Sequence, residues 1–124
     1  MGTLYHYGGV IAYRGHFKTS KKNGTGQLFN SKGSLFFDGQ FVDDKFCGEG
    51  KYYDEDLNLL YEGQYNDNKL HGQGIMYDKT ADKVYSGQWQ NDLMDIYGIL
   101  YFNGRVIYEG EYQTGERTGF GKYY

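Results

Sequence analysis

No stretch of the 124 residues is apolar for anything near the roughly 20 positions a membrane helix needs. No charged-then-apolar leader opens the chain either, so neither a membrane span nor a secretory signal is expected. Met1-Gly2 begins like a myristoylation motif, but His6 stands where that motif requires Ser or Thr. Cysteine occurs once, as Cys47, which excludes an intramolecular disulfide and gives no reason to expect an oxidising compartment. Cys47 itself reads as a spacer beside a turn, because a reactive thiol needs an electropositive setting. Histidine occurs only as His6, His16 and His71, without ligand spacing, and the acids are spread over loops. Metal, cofactor and catalytic constellations are therefore not expected, nor is a small-molecule substrate. Proline is missing altogether. No segment has a convincing helical period, with Asp54 to Leu60 the one stretch where a helix is arguable.

What is abundant is glycine, at 20 residues, and aromatic side chains, at 19%, both far from average usage. The low mean hydropathy leans towards disorder, but disordered chains are poor in aromatics. A single folded domain over residues 1–124, with tyrosine supplying much of the buried surface, is the expectation. The glycines and aromatics recur together. Tyr13-Arg14-Gly15-His16-Phe17 returns as Phe37-Asp38-Gly39-Gln40-Phe41, Tyr61-Glu62-Gly63-Gln64-Tyr65, Tyr85-Ser86-Gly87-Gln88-Trp89 and Tyr108-Glu109-Gly110-Glu111-Tyr112, at spacings of 24, 24, 24 and 23. Counting the first aromatic as position 0, positions 11 and 13 are Gly24 and Gly26, Gly48 and Gly50, Gly72 and Gly74, Ile96 and Gly98, and Gly119 and Gly121. Only Ile96 breaks the pattern. Such internal periodicity marks a repeat protein, with a half repeat over 1–12 and repeats over 13–36, 37–60, 61–84, 85–107 and 108–124. The half repeat rests on Gly2-Thr3-Leu4-Tyr5, which aligns with Gly26-Gln27-Leu28-Phe29.

An aromatic-acid-glycine-x-aromatic phrase, a short polar turn and then His-Gly-x-Gly closely resembles the MORN (membrane occupation and recognition nexus) repeat. The resemblance covers the chain from residue 13 onward. It implies an all-β, elongated and twisted single-layer antiparallel sheet of tandem hairpins. It also implies use as an assembly subunit, since similar proteins occur in ciliary and cytoskeletal assemblies, in membrane contacts and as appendages to enzymes. A cytoplasmic place, cytoskeletal or ciliary, and other protein chains as partners follow from the same likeness.

The residues support that fold independently. Positions 0, 2 and 4 share one face of a strand because successive side chains alternate, and the residues between them are polar, the pattern of a half-buried strand. Folding positions 11, 13 and 15 back over a six-residue connection pairs 4 with 11, 2 with 13 and 0 with 15. Each large ring then lies opposite glycine, an arrangement that restores the packing a strand glycine loses. About eleven strands are expected, spanning about 50 Å at the usual strand spacing. In the fourth repeat Trp89 would face Ile96, so that hairpin is expected to be irregular and its indole displaced.

Function is then sought on surfaces. The Gly-x-Gly pairs do not read as phosphate loops, which need a following helix. A net charge of −3 argues against nucleic acid, whose binding is dominated by phosphate neutralisation. One candidate surface is the aromatic face, Tyr13, Phe17, Phe37, Phe41, Tyr61, Tyr65, Tyr85, Trp89, Tyr108 and Tyr112, which a single-layer sheet leaves open to an apolar peptide or helix unless the rings pack on one another. A second is an outer apolar patch of Ile75, Tyr77, Tyr97, Ile99, Tyr101 and Phe120, set side by side by neighbouring strands. The third is electrostatic. Residues 1–35 hold five bases and no acid (+5), while the remainder holds 8 bases and 16 acids (−8). Lys18, Lys21, Lys22 and Lys32 are therefore candidates for contact with an anionic membrane surface. A non-catalytic protein-interaction scaffold is the leading expectation, and a peripheral membrane adaptor the alternative.

Overall fold

A computed structural model describes residues 1–124 as eleven β-strands without a helix. These are β1 (Gly2–Tyr5), β2 (Ile11–Lys18), β3 (Lys21–Phe29), β4 (Leu35–Val42), β5 (Lys45–Tyr53), β6 (Leu59–Asn66), β7 (Lys69–Tyr77), β8 (Lys83–Gln90), β9 (Leu93–Phe102), β10 (Arg105–Gln113) and β11 (Glu116–Tyr123). They form one antiparallel meander in which each strand pairs only with its neighbours in sequence, so the sheet is open. The glycines at positions 2 and 13 face each other throughout, as Gly15 with Gly26, Gly39 with Gly50, Gly63 with Gly74, Gly87 with Gly98 and Gly110 with Gly121. Residues of β1 continue the same rows, Gly2 lying opposite Gly15.

The connection inside each repeat is shorter than its composition suggests. It is a two-residue turn with both residues left-handed: Thr19-Ser20, Asp43-Asp44, Asp67-Asn68, Asn91-Asp92 and Thr114-Gly115, with φ between 49° and 85°. This geometry matches the twist of paired strands and favours Asp, Asn and Gly. The other four residues of the expected loop belong to the strands. In β7 the three residues His71, Gly72 and Gln73 lie across from Gln64 alone, between the pairs Gly63 with Gly74 and Tyr65 with Leu70. The ring at position 4 is thus opposite position 9 of its own hairpin, not position 11. It does face a position-11 glycine, but that of the preceding repeat: Phe41 with Gly24, Tyr65 with Gly48, Trp89 with Gly72.

That bulge explains the position-11 glycine. Gly24, Gly48, Gly72 and Gly119 all have positive φ, from 58° to 102°, which glycine adopts without strain. A bond across the outer face completes the bulge in three repeats. Gln40, Gln64 and Glu111 each accept through Oε1 the amide hydrogen of Glu49, Gln73 and Phe120, at 2.8, 2.9 and 2.6 Å. In repeat four, Ile96 keeps the same backbone at φ 66°, and its left-handed conformation turns the side chain outward, where it is 62% exposed. Ile96 therefore never meets the indole. The expected distortion is absent: β8 and β9 pair in the register of the other hairpins, with Trp89 opposite Met94. Trp89 is buried and donates its Nε1 hydrogen to the Gly74 carbonyl at 3.2 Å.

Repeats are fastened to one another at both edges. Along one edge, the second turn residue of a repeat grips the backbone of the repeat before it. Asp44, Asn68 and Asp92 accept from the amides of Lys22, Phe46 and Leu70 at 2.7–2.8 Å, while their own amides donate to the carbonyls of those residues. Along the other edge, Asn30, Asp54 and Asp78 fold the loops between repeats by accepting from backbone amides two and four residues on. The fourth of these loops is a tight Asn103-Gly104 turn, which accounts for the single spacing of 23.

Two stability outcomes follow. Ile96→Gly is expected to raise unfolding free energy by about 0.5–1 kcal/mol, because it removes left-handed strain of roughly 1–2 kcal/mol against the greater chain entropy of glycine. Gly39→Ala is expected to lower it by about 3 kcal/mol, the upper end for overpacking, since the added methyl would sit 2.6 Å from both the Glu49 carbonyl oxygen and the Gly50 Cα. Urea titrations followed by the single tryptophan check both. An unchanged midpoint in either variant contradicts the corresponding account.

Candidate partner-binding surfaces

The aromatic side of the sheet is built in tiers. In each repeat the ring at position 0 lies across the glycine pair, where a Cβ on Gly50, for example, would be 2.6 Å from Phe37 Cζ. Tyr13, Tyr61, Tyr85 and Tyr108 then donate their hydroxyl hydrogens to the carbonyls of His16, Gln64, Gln88 and Glu111, at 2.9–3.0 Å. Position-4 rings stand edge-on between position-0 rings of adjacent repeats. The result is an unbroken series from Phe17 through Tyr13, Phe41, Phe37, Tyr65, Tyr61, Trp89, Tyr85 and Tyr112 to Tyr108, with centroids 5.0–5.9 Å apart. Edge-to-face pairs of this kind contribute about 0.5–1.5 kcal/mol each beyond area burial.

Nine of the ten rings proposed from sequence are consequently buried by one another, and Phe17 is half-buried. A partner approaching this side meets a third tier, position 9, which covers the position-0 rings. Lys22 and Arg117 place cations over Tyr13 and Tyr108, Phe46 stacks on Phe37 at 3.8 Å, and Leu70 and Met94 pack against the same core. By sequence these residues fall in the six-residue connection expected between the strands. Their types differ, and only the register reveals that they share a task. Over repeats two and three the tier opens into a groove of about 390 Å³, lined by nine residues of which eight are hydrophobic, among them Phe46, Tyr52, Leu60, Leu70 and Met76.

The outer face is organised differently from the expected continuous patch. Its apolar residues come from alternate strands, and a polar residue of the intervening strand separates each pair. Ser86 lies between Ile75 and Ile99, and Glu111 between Tyr97 and the strand carrying Phe120. Lys83 pairs with Tyr77 and holds its ammonium 5.9 Å from the Tyr101 ring. Phe120 and Tyr97 are exposed, while the other four are half-buried. Tyr77, beyond the register shift that follows Met76, also lines the groove of the aromatic side; it donates to Glu62 Oε1 at 2.6 Å, and burial together with that carboxylate pushes its phenol up to about 12.

The four lysines do not converge. Lys18 and Lys21 are opposed at the first turn. Lys22 is drawn to the inner side, 3.8 Å from Asp44. Lys32 lies in the loop at the far end of β3, about 30 Å from that turn at the usual rise of a nine-residue strand.

This open sheet of stacked hairpins, each built on an aromatic ring laid over two facing glycines, defines a β-hairpin repeat protein. The family model for the MORN repeat matches residues 37–58, 61–81, 85–104 and 108–124, and the chain belongs to the MORN-repeat family. No curated protein matches the sequence. MORN repeats are non-catalytic modules of protein and membrane interaction.

Because the groove rests on buried tyrosines, its integrity carries a pH signature. Burial, first among the causes, raises the phenols of Tyr61, Tyr65 and Tyr85 well above the ordinary 10.0. An acid whose folded pKa is raised stabilises the fold fully below the unfolded value, and the contribution fades as pH rises through the folded one. The melting temperature is expected to stay level from pH 7 to 9 and to fall steeply above about pH 10. Because several tyrosines, Tyr7 and Tyr97 among them, are exposed and ionise without unfolding, ionisation of all fifteen tyrosines without any loss of circular dichroism would contradict this.

Proposed function

We propose that the chain is a non-catalytic scaffold module that holds another protein of a cytoplasmic assembly, ciliary or cytoskeletal, through the groove on the aromatic side. The observation that carries this reading is the groove itself: it is apolar at eight of nine lining residues, on a sheet face with no second layer above it. Grooves of this character receive the apolar stripe of an amphipathic helix, whose anchors recur at three- and four-residue intervals.

Peripheral binding to anionic phospholipid is the second reading, favoured by the adjacent Lys18 and Lys21. Each such lysine is worth about 1 kcal/mol at a charged surface and is screened by salt. With Lys22 near Asp44 and Lys32 at the far edge, the attraction is modest.

Affinity capture from extract with the intact chain, compared with the Leu70→Gln/Met76→Gln variant, tests the scaffold reading. A partner retained by the wild type and lost by a variant with unchanged circular dichroism is expected. Equal retention by both removes the groove from the mechanism. Sedimentation with phosphatidylserine vesicles tests the second reading, for which binding at 20 mM salt that disappears in Lys18→Ala/Lys21→Ala is required.

A further inference from the structure

The outer face carries its own concavity. Two side-chain rows stand on either side of the row of paired glycines, one from positions 1 and 14 and the other from positions 3 and 12. Between them runs a trough of about 630 Å³, continued by a second of about 310 Å³ that shares Gln73 and Ser86 with it. The walls are two residues apart along each strand, about 7 Å. An α-helix with its side chains is about 10–12 Å across, so the trough admits an extended chain and excludes a helix.

Its lining changes along its length. Over β4 to β6 it presents Asp38, Glu49 and Glu62 around Lys51, a net charge of −2 from three acids and one base. Lys51 pairs laterally with both Asp38 and Glu62, yet the chain's two ion pairs, Lys22–Asp44 and Lys45–Asp67, involve none of them. Over β9 the lining becomes Tyr97 and Ile99, beside the outward Ile96. From Asp38 to Ile99 is five strand spacings, about 24 Å, the length of about seven extended residues.

We propose that this trough binds an extended peptide segment of a partner, rich in lysine or arginine where it crosses β4 to β6 and apolar where it crosses β9. The width selects the extended conformation, and the carboxylates of Asp38, Glu49 and Glu62, the last of which also accepts from Tyr77, select the charge. Tyr97 and Ile99 fix the direction in which the segment lies. The site is separate from the groove on the aromatic side.

The probe is a fluorescein-labelled octapeptide, alternating lysine and serine in its first half and leucine and serine in its second, titrated with the intact protein by fluorescence anisotropy. Saturable binding that weakens with salt is expected. Asp38→Asn/Glu49→Gln/Glu62→Gln should weaken it roughly ten-fold at low ionic strength, as the loss of three solvent-accessible ion pairs warrants. Glu55→Gln/Asp56→Asn/Glu116→Gln, which removes as much charge elsewhere, should leave it unchanged. Ile99→Ser should weaken this peptide but not one in which serine replaces both leucines. The Leu70→Gln/Met76→Gln variant should bind it as the wild type does, whatever becomes of the scaffold reading. Absence of saturable binding overturns the proposal, as does equal weakening by the two charge-removing variants or loss of binding on the groove variant.

Discussion

In every repeat an aromatic ring lies flat across two facing glycines, and nearly every other feature answers to that contact. A single-layer sheet has no second layer against which to bury apolar surface, so it must make its own. Deleting two side chains at the centre of each hairpin lets the ring from position 0 lie down on bare backbone. Where that ring is tyrosine, its hydroxyl reaches a carbonyl on the same strand. The ring is then held at both ends, and its exposed face and edges become the seat for the position-4 rings and the position-9 cover.

Much of this was legible in the sequence because it depends on parity. Tyr61, Gly63 and Tyr65 must share a face if they lie on a strand, and Gly74 and Met76 must meet them if the chain doubles back. The strand number and the inner and outer sets follow. The turn was misread because Leu70 and His71 look like loop residues beside Asn68, and nothing in composition distinguishes a six-residue loop from a two-residue turn followed by a bulge. The two kinds of glycine were equally indistinct. Gly74 is glycine because a ring occupies the place of its side chain, whereas Gly72 is glycine because its backbone is left-handed. Ile96 separates the two cases. It survives at the second kind of site by pointing outward, an option closed at the first.

The candidate surfaces were less legible because they depend on what lies two strands away. Lys22, Phe46, Leu70, Met94 and Arg117 have no common chemistry in sequence, yet a cation, a stacked ring or an alkyl chain can each cover an aromatic face. On the outer side, Ile75 and Ile99 belong to the same position of successive repeats, and the intervening Ser86 becomes visible as their separator only once the strands are laid side by side. The rings named from the repeat phrase build the fold, and the variable positions around them make the surfaces.

The clasps at Asp44, Asn68 and Asp92 give the array a direction and a unit of length. Each of these three turns reaches back to hold the repeat before it. A block of 24 residues removed or duplicated between equivalent points leaves every clasp facing a backbone of the right kind, whereas a change of a few residues inside a repeat leaves one open. The extent of this protein is thus quantised, and evolution can lengthen or shorten it one tile at a time without touching the chemistry of its edges.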